Sequence, residues 1–163
     1  KEFHIYYMDK NLNKISLTEN KIYLQKECLK NKEFINKLST GIFAMFSFLI
    51  DTPTVLILRN SKKKSDLLDF NLLTATLNYK LRVDDFMENN RHLFNKAVHN
   101  FEYDLGLILG KTNGFFTIEF VSGSGQNLSD TKMSVIKKYL NLPWFFAKII
   151  KKSIIFVKKI AKI

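Results

Sequence analysis

The stretch 86–121, FMENNRHLFNKAVHNFEYDLGLILGKTNGFFTIEFV, decides how much of this chain is helix and how much is sheet. Phe86, Leu93, Ala97, Phe101, Leu105, Ile108 and Leu109 recur at helical spacings, which argues for one long amphipathic helix. Asp84, Asp85 and Glu88 then stand in its first turns, where carboxylates complement the helix dipole. The rival is a hairpin of Tyr103–Lys111 and Phe115–Val121 about Asn113–Gly114, because Asn-Gly tolerates the positive φ of a tight hairpin turn. The spacing favours a helix as far as Gly110, with Gly110 or Gly114 as its stop and a strand over Phe115–Val121.

Upstream lies a nearly uncharged run, Leu38–Leu58, LSTGIFAMFSFLIDTPTVLIL. Asp51 and Pro53 interrupt it too early for the part from Gly41 to Ile50 to cross a bilayer, so it predicts a buried helix followed by a buried strand over Thr54–Leu58. Ser39 or Thr40 is expected at the helix N-cap, where a side-chain oxygen meets otherwise free backbone N–H groups. With Gly41 beside them, the same hydroxyls suit a phosphate. The loop Arg59–Lys64, RNSKKK, then leaves the strand's carboxyl end, where open α/β sheets gather ligands. A plain solvated loop is the alternative.

Short strands are expected at Phe3–Met8, Ile15–Leu17 and Lys21–Leu24, and helices at Glu27–Lys37 and Asp66–Leu81, with a break at Arg82–Val83. The expected fold is therefore α/β and helix-rich, with a small sheet holding a buried helix-strand unit, plus a C-terminal basic amphipathic helix. Residues 1–121 form the α/β domain, 122–131 a loop or linker containing SGSGQNLSD, and 132–163 the basic helical tail. Ser129 or Asp130 caps the helix from Lys132 to Asn141, and Pro143 opens the next.

The 163 residues suffice for one core, and the net charge of +11 is uneven. Nine Lys and no acid fall in 132–163, leaving 17 basic against 15 acidic residues in the rest. In the tail, Lys148, Lys151, Lys152, Lys158 and Lys159 share one arc of a helical wheel, and Trp144 and Phe145 resemble an interfacial anchor. Each Lys at a bilayer centre costs roughly 2.5–3.5 kcal/mol, so the helix is expected to lie on an anionic membrane surface rather than span it. Packing of its apolar face on protein is the alternative. All three Arg lie outside the tail, which argues against sequence-specific nucleic-acid binding there. Cys28 stands alone, which excludes an intrachain disulfide and a CxxC metal site. A start at Lys1 rather than Met leaves room for a missing N-terminal domain.

Other motifs read plainly. Asp104-x-Gly106-x-x-x-Gly110 has the spacing of a cofactor loop, but Leu105, Leu107, Ile108 and Leu109 make it apolar. Ser122-Gly-Ser-Gly125 reads as flexible chain, and His92 and His99 lack a partner ligand, so no metal is expected.

The block 38–58 resembles a segment of nucleotide-sugar glycosyltransferases, bacterial sialyltransferases among them, in which a Ser/Thr pair opens a helix before a strand. Tyr103-x-Leu105-Gly106-x-x-Leu109 and Tyr139-Leu140-x-Leu142-Pro143 are similar to a helical C-terminal appendage of bacterial surface-polysaccharide glycosyltransferases. The resemblance implies that Ser39 and Thr40 contact the donor phosphate, with Arg59, Lys62, Lys63 and Lys64 offsetting its charge. It implies the donor-nucleotide-binding part of a cytoplasmic enzyme, peripheral to the inner membrane, making a surface glycan from a nucleotide-sugar, with no permanently bound cofactor. The catalytic base is then expected in a missing N-terminal part. The rival functions are a non-enzymatic α/β module that binds membrane or protein, and a nonspecific nucleic-acid binder.

Overall fold

The computed structural model describes residues 20–112 and 114–141. The strands are β1 (Lys21–Leu24), β2 (Thr54–Arg59), β3 (Arg82–Phe86), β4 (Leu105–Thr112) and β5 (Phe115–Ser122), of which β2, β4 and β5 are rich in Leu, Ile, Val and Phe and β3, RVDDF, is the charged edge strand. They make one mixed sheet in the order β1-β5-β4-β2-β3. β2 runs parallel to β3 and β4, whereas β5 is antiparallel to both β4 and β1. The helices are α1 (Lys32–Met45), α2 (Lys64–Leu77), α3 (Arg91–Asn100) and α4 (Asp130–Asn141), with a 3-10 turn at Lys26–Lys30.

Alternation along a strand sends side chains to opposite faces, and here both faces are covered. Val55 and Ile57 of β2 join Leu107 of β4 beneath Leu38 of α1, Phe70 of α2 and Ile136 of α4. Leu56 and Leu58 point the other way, with Ile108, onto Phe94, Ala97 and Val98 of α3. The α/β class, the strand after Pro53 and the helix after the RNSKKK loop are all as the sequence predicts.

The long helix over 86–110 does not form. Residues 82–86 are a strand, α3 occupies only Arg91–Asn100, and Glu102 at φ 58 turns the chain into β4. Asn90 starts α3 by accepting the Leu93 N–H at 3.1 Å. Residues 105–110 are buried on both faces of the sheet, so they are apolar at nearly every position and satisfy a helical spacing by accident. β4 and β5 pair as a hairpin across Gly114, whose φ is +83. Asp84 and Asp85 therefore belong to β3 rather than to a first helical turn, and Asp84 accepts the Tyr103 hydroxyl at 2.7 Å.

Helix α1 also differs from expectation. It begins at Lys32 and stops at Met45, after which Ser47 and Phe48 take φ of 54 and 56. The stretch 122–129 is a loop that folds back on the sheet. Ser122 N–H donates to Gln126 O at 2.7 Å, Leu128 N–H donates to Phe120 O at 3.2 Å, and the Leu128 side chain is buried in the core. Gly125 permits this return, because its φ is +83 and an added Cβ would lie 2.6 Å from Asn95 O. α4 consequently packs against α1, with Gly41 facing Ile136 and Tyr139, and shares the core of the preceding residues.

The expected strands at 3–8 and 15–17, and the tail residues Trp144, Phe145, Lys148, Lys151, Lys152, Lys158 and Lys159, lie outside the described residues. Among the described residues no helix is long and apolar enough to cross a membrane.

Candidate functional site

From β2 the chain continues into α2 on one face of the sheet, and from β3 into α3 on the other. The connections thus part at the carboxyl ends of β2 and β3, which is the switch-point geometry where open α/β sheets hold ligands. Arg59 closes β2 there. Its Nη2 lies 3.0 Å from Asp85 Oδ1 on β3, while its Nε is buried with no acceptor among the described residues. A buried donor without a partner is uncommon enough to need a reason.

The start of α2 stands beside Arg59. Lys63 is its N-cap residue and its side chain, a donor, makes no capping bond to the first-turn N–H groups. Lys62, Lys63 and Lys64 are exposed. Below them Asp66 is buried, accepting from Ser61 Oγ at 2.9 Å and from Lys111 Nζ at 3.4 Å. Burial pushes the Asp66 carboxyl up, but the bonds from Ser61 and Lys111 and the Lys111 charge outweigh it and hold the pKa below the usual value. Asp66 is thus ionised and offset by Lys111, and the loop retains its positive character for an anion.

Of the residues singled out from sequence, Arg59, Lys62, Lys63 and Lys64 occupy this site, and Ser39, Thr40 and Gly41 do not. Asn31 caps α1, accepting the Phe34 N–H at 3.0 Å, so Ser39 and Thr40 fall in the helix interior. They are 1% and 2% exposed, and both hydroxyls donate to Asn36 O, at 3.0 and 2.8 Å. A Ser or Thr can satisfy its hydroxyl against the preceding turn in this way, which removes the need for a cap position. Ser39 lines a different pocket, with Thr76 and Lys80 at the far end of α2. The length of α2 separates that end from the lysine loop by about 20 Å.

Asp66 and Lys111 were not singled out in the sequence, and Asp85 was read there as a first-turn helix acid rather than as a partner of Arg59. Ser61 and Asp66 are local to the loop, but Asp85 and Lys111 arrive only through strand pairing. Asp104 sits at the opposite, amino end of the sheet, where its Oδ2 accepts from Thr54 N at 2.9 Å and Thr54 Oγ1 at 3.1 Å. Gly106 lets α3 approach β4, since an added Cβ would meet Val98 Cγ2 at 2.8 Å. The Asp104-to-Gly110 spacing is therefore a strand tie and a packing contact. His92 and His99 are exposed on α3, and no group of three His, Cys, Asp or Glu among the described residues could hold a metal ion.

No protein-family model matches the chain, and no curated protein matches it. Solved structures do match in fold. One is described as a phosphomannomutase from Thermus thermophilus, at a TM-score of 0.52 and 13% identity, covering 70% of this chain and 26% of that one. The chain spans about a quarter of the length of that structure, and a likeness at this identity concerns the α/β fold alone.

Proposed function

We propose that this domain binds the phosphates of a nucleotide-sugar donor at the Arg59–Lys64 loop, as part of a glycosyltransferase working at the cytoplasmic face of a membrane. The observation that carries the reading is the buried, unpartnered Nε of Arg59 at the switch point, beside the uncapped start of α2 and three exposed lysines. Arg supplies directed N–H donors to phosphate, and Lys supplies charge. The nucleotide-sugar class rests on the resemblance of residues 38–58, and the membrane location rests on the basic, aromatic segment 143–163. Because Ser39 and Thr40 are buried inside α1, the donor phosphate is assigned to the loop instead. The fold shared with a phosphomannomutase adds no ligand to this reading.

Calorimetry with UDP-sugars and CMP-sugars tests it. Wild type is expected to give saturable heat, and Arg59→Ala or the triple Lys62→Ala/Lys63→Ala/Lys64→Ala to lose at least about tenfold in affinity, roughly 1.4 kcal/mol. Ser39→Ala/Thr40→Ala should bind as wild type does. Absence of binding by wild type would overturn the proposal. Removal of residues 143–163 is expected to abolish partition onto anionic vesicles, and unchanged partition would remove the membrane part.

A further inference from the structure

A pocket of about 550 Å³ opens between α1 and the end of α2, remote from the lysine loop. Lys32, Asn36 and Ser39, spaced along one face of α1, form one wall, and Thr76, Tyr79 and Lys80 form the other. Among the described residues the lining carries two ammonium groups and no carboxylate. Lys80 Nζ donates to Asn36 Oδ1. An ammonium has only protons to give, so the Asn36 oxygen must face it, and the amide N–H donors of Asn36 remain available. The hydroxyl protons of Ser39 and Thr76 are already committed, to Asn36 O and Leu72 O. Recognition of an anion therefore falls to Lys32, Lys80 and the Asn36 amide. Tyr79, 88% exposed, presents an aromatic ring at the rim, and Ile35 adds an apolar surface.

We propose that this pocket, separately from the donor site, binds a phosphate monoester carrying a flat ring, of nucleoside monophosphate size. The phosphate lies between Lys32 and Lys80, and the ring rests against Tyr79. The volume falls within the roughly 300–1,000 Å³ of small-molecule sites. α2 ends here, and the partial negative charge of a helix C-terminus opposes an anion, so the site depends on both lysines.

A ¹H–¹⁵N titration of the full chain with AMP, adenosine and inorganic phosphate tests the assignment. AMP is expected to shift the amides of 32–39 and 76–80 saturably, adenosine to leave them in place, and Lys32→Gln/Lys80→Gln to weaken AMP binding at least tenfold. Tyr79→Ala should weaken AMP but not inorganic phosphate. The triple Ala variant of Lys62, Lys63 and Lys64 should titrate as wild type does, which separates this site from the donor site. Lys80 also braces Asn36, so if the double variant loses spectral dispersion, Lys32→Gln alone decides, since Lys32 is exposed. No saturable shift at millimolar AMP, equal shifts with adenosine, or undiminished binding after loss of the lysine charge would overturn the proposal.

Discussion

Arg59 Nη2 and Asp85 Oδ1 stand 3.0 Å apart, joining the ends of β2 and β3 where their following helices depart to opposite faces. Asp85 is 40% exposed in its side chain and cancels part of the charge that an anion would meet. Asp85→Asn is expected to bind nucleotide-sugar severalfold more tightly while changing stability by less than about 1 kcal/mol. Calorimetry and urea unfolding measure the two effects. Weaker binding by the variant would show instead that Asp85 is needed to orient Arg59.

Asp66 gives the site a pH signature. Its pKa is lowered in the folded state, so its stabilisation is present above the unfolded value, roughly 3.9, and is lost as pH falls through the folded value. Asp66→Asn should destabilise the protein by about 1–3 kcal/mol at pH 7. The gap between wild type and variant should shrink as pH falls below the unfolded value of roughly 3.9. A gap that stays constant with pH in urea melts would exclude an ionised Asp66 as its source.

Gly125 and Gly114 offer a controlled comparison, since both have φ of +83. A Cβ at Gly125 would lie 2.6 Å from a backbone oxygen, whereas nothing stands within 4 Å of one at Gly114. Gly125→Ala is expected to cost about 1–3 kcal/mol and Gly114→Ala about 1 kcal/mol, the second from backbone conformation alone. Equal melting temperatures for the two variants would contradict the close return of residues 122–129 onto α3.

Cys28 is buried, and burial pushes its thiol from 9.0 up to about 11. The thiolate population at neutral pH is thereby about a hundredfold lower than for a free cysteine. Native protein should react with iodoacetamide far more slowly than protein in urea. Rapid labelling of the folded chain would place Cys28 at the surface instead.

The parts of the fold that were legible in sequence were those with punctuation. Pro53 and the RNSKKK loop bracket β2, and Lys64–Leu77 follows as a helix close to the residues that its leucines predict. Ser39 and Thr40 misled because a hydroxyl has two ways to be satisfied in a helix, at the cap or against the preceding turn, and Asn31 already held the cap. The spacing over 86–110 misled because β4, buried on both sides, carries apolar residues that fit any period. The Asn-Gly pair was the sounder local signal, since it reports a backbone requirement rather than a pattern of burial.

By itself the sequence determined the α/β class, the strand after Pro53 and the basic loop at the end of β2, because each depends on residues adjacent in the chain; the choice of hairpin over helix at Gly114 came from the structure. Only the tertiary structure decided that Asp85 meets Arg59 and that Lys111 meets Asp66. It alone placed Ser39 at the opposite end of α2 from Lys62–Lys64. Those relationships follow from strand order and from which face each helix covers, and both are settled by burying apolar surface across the whole domain rather than by any local stretch.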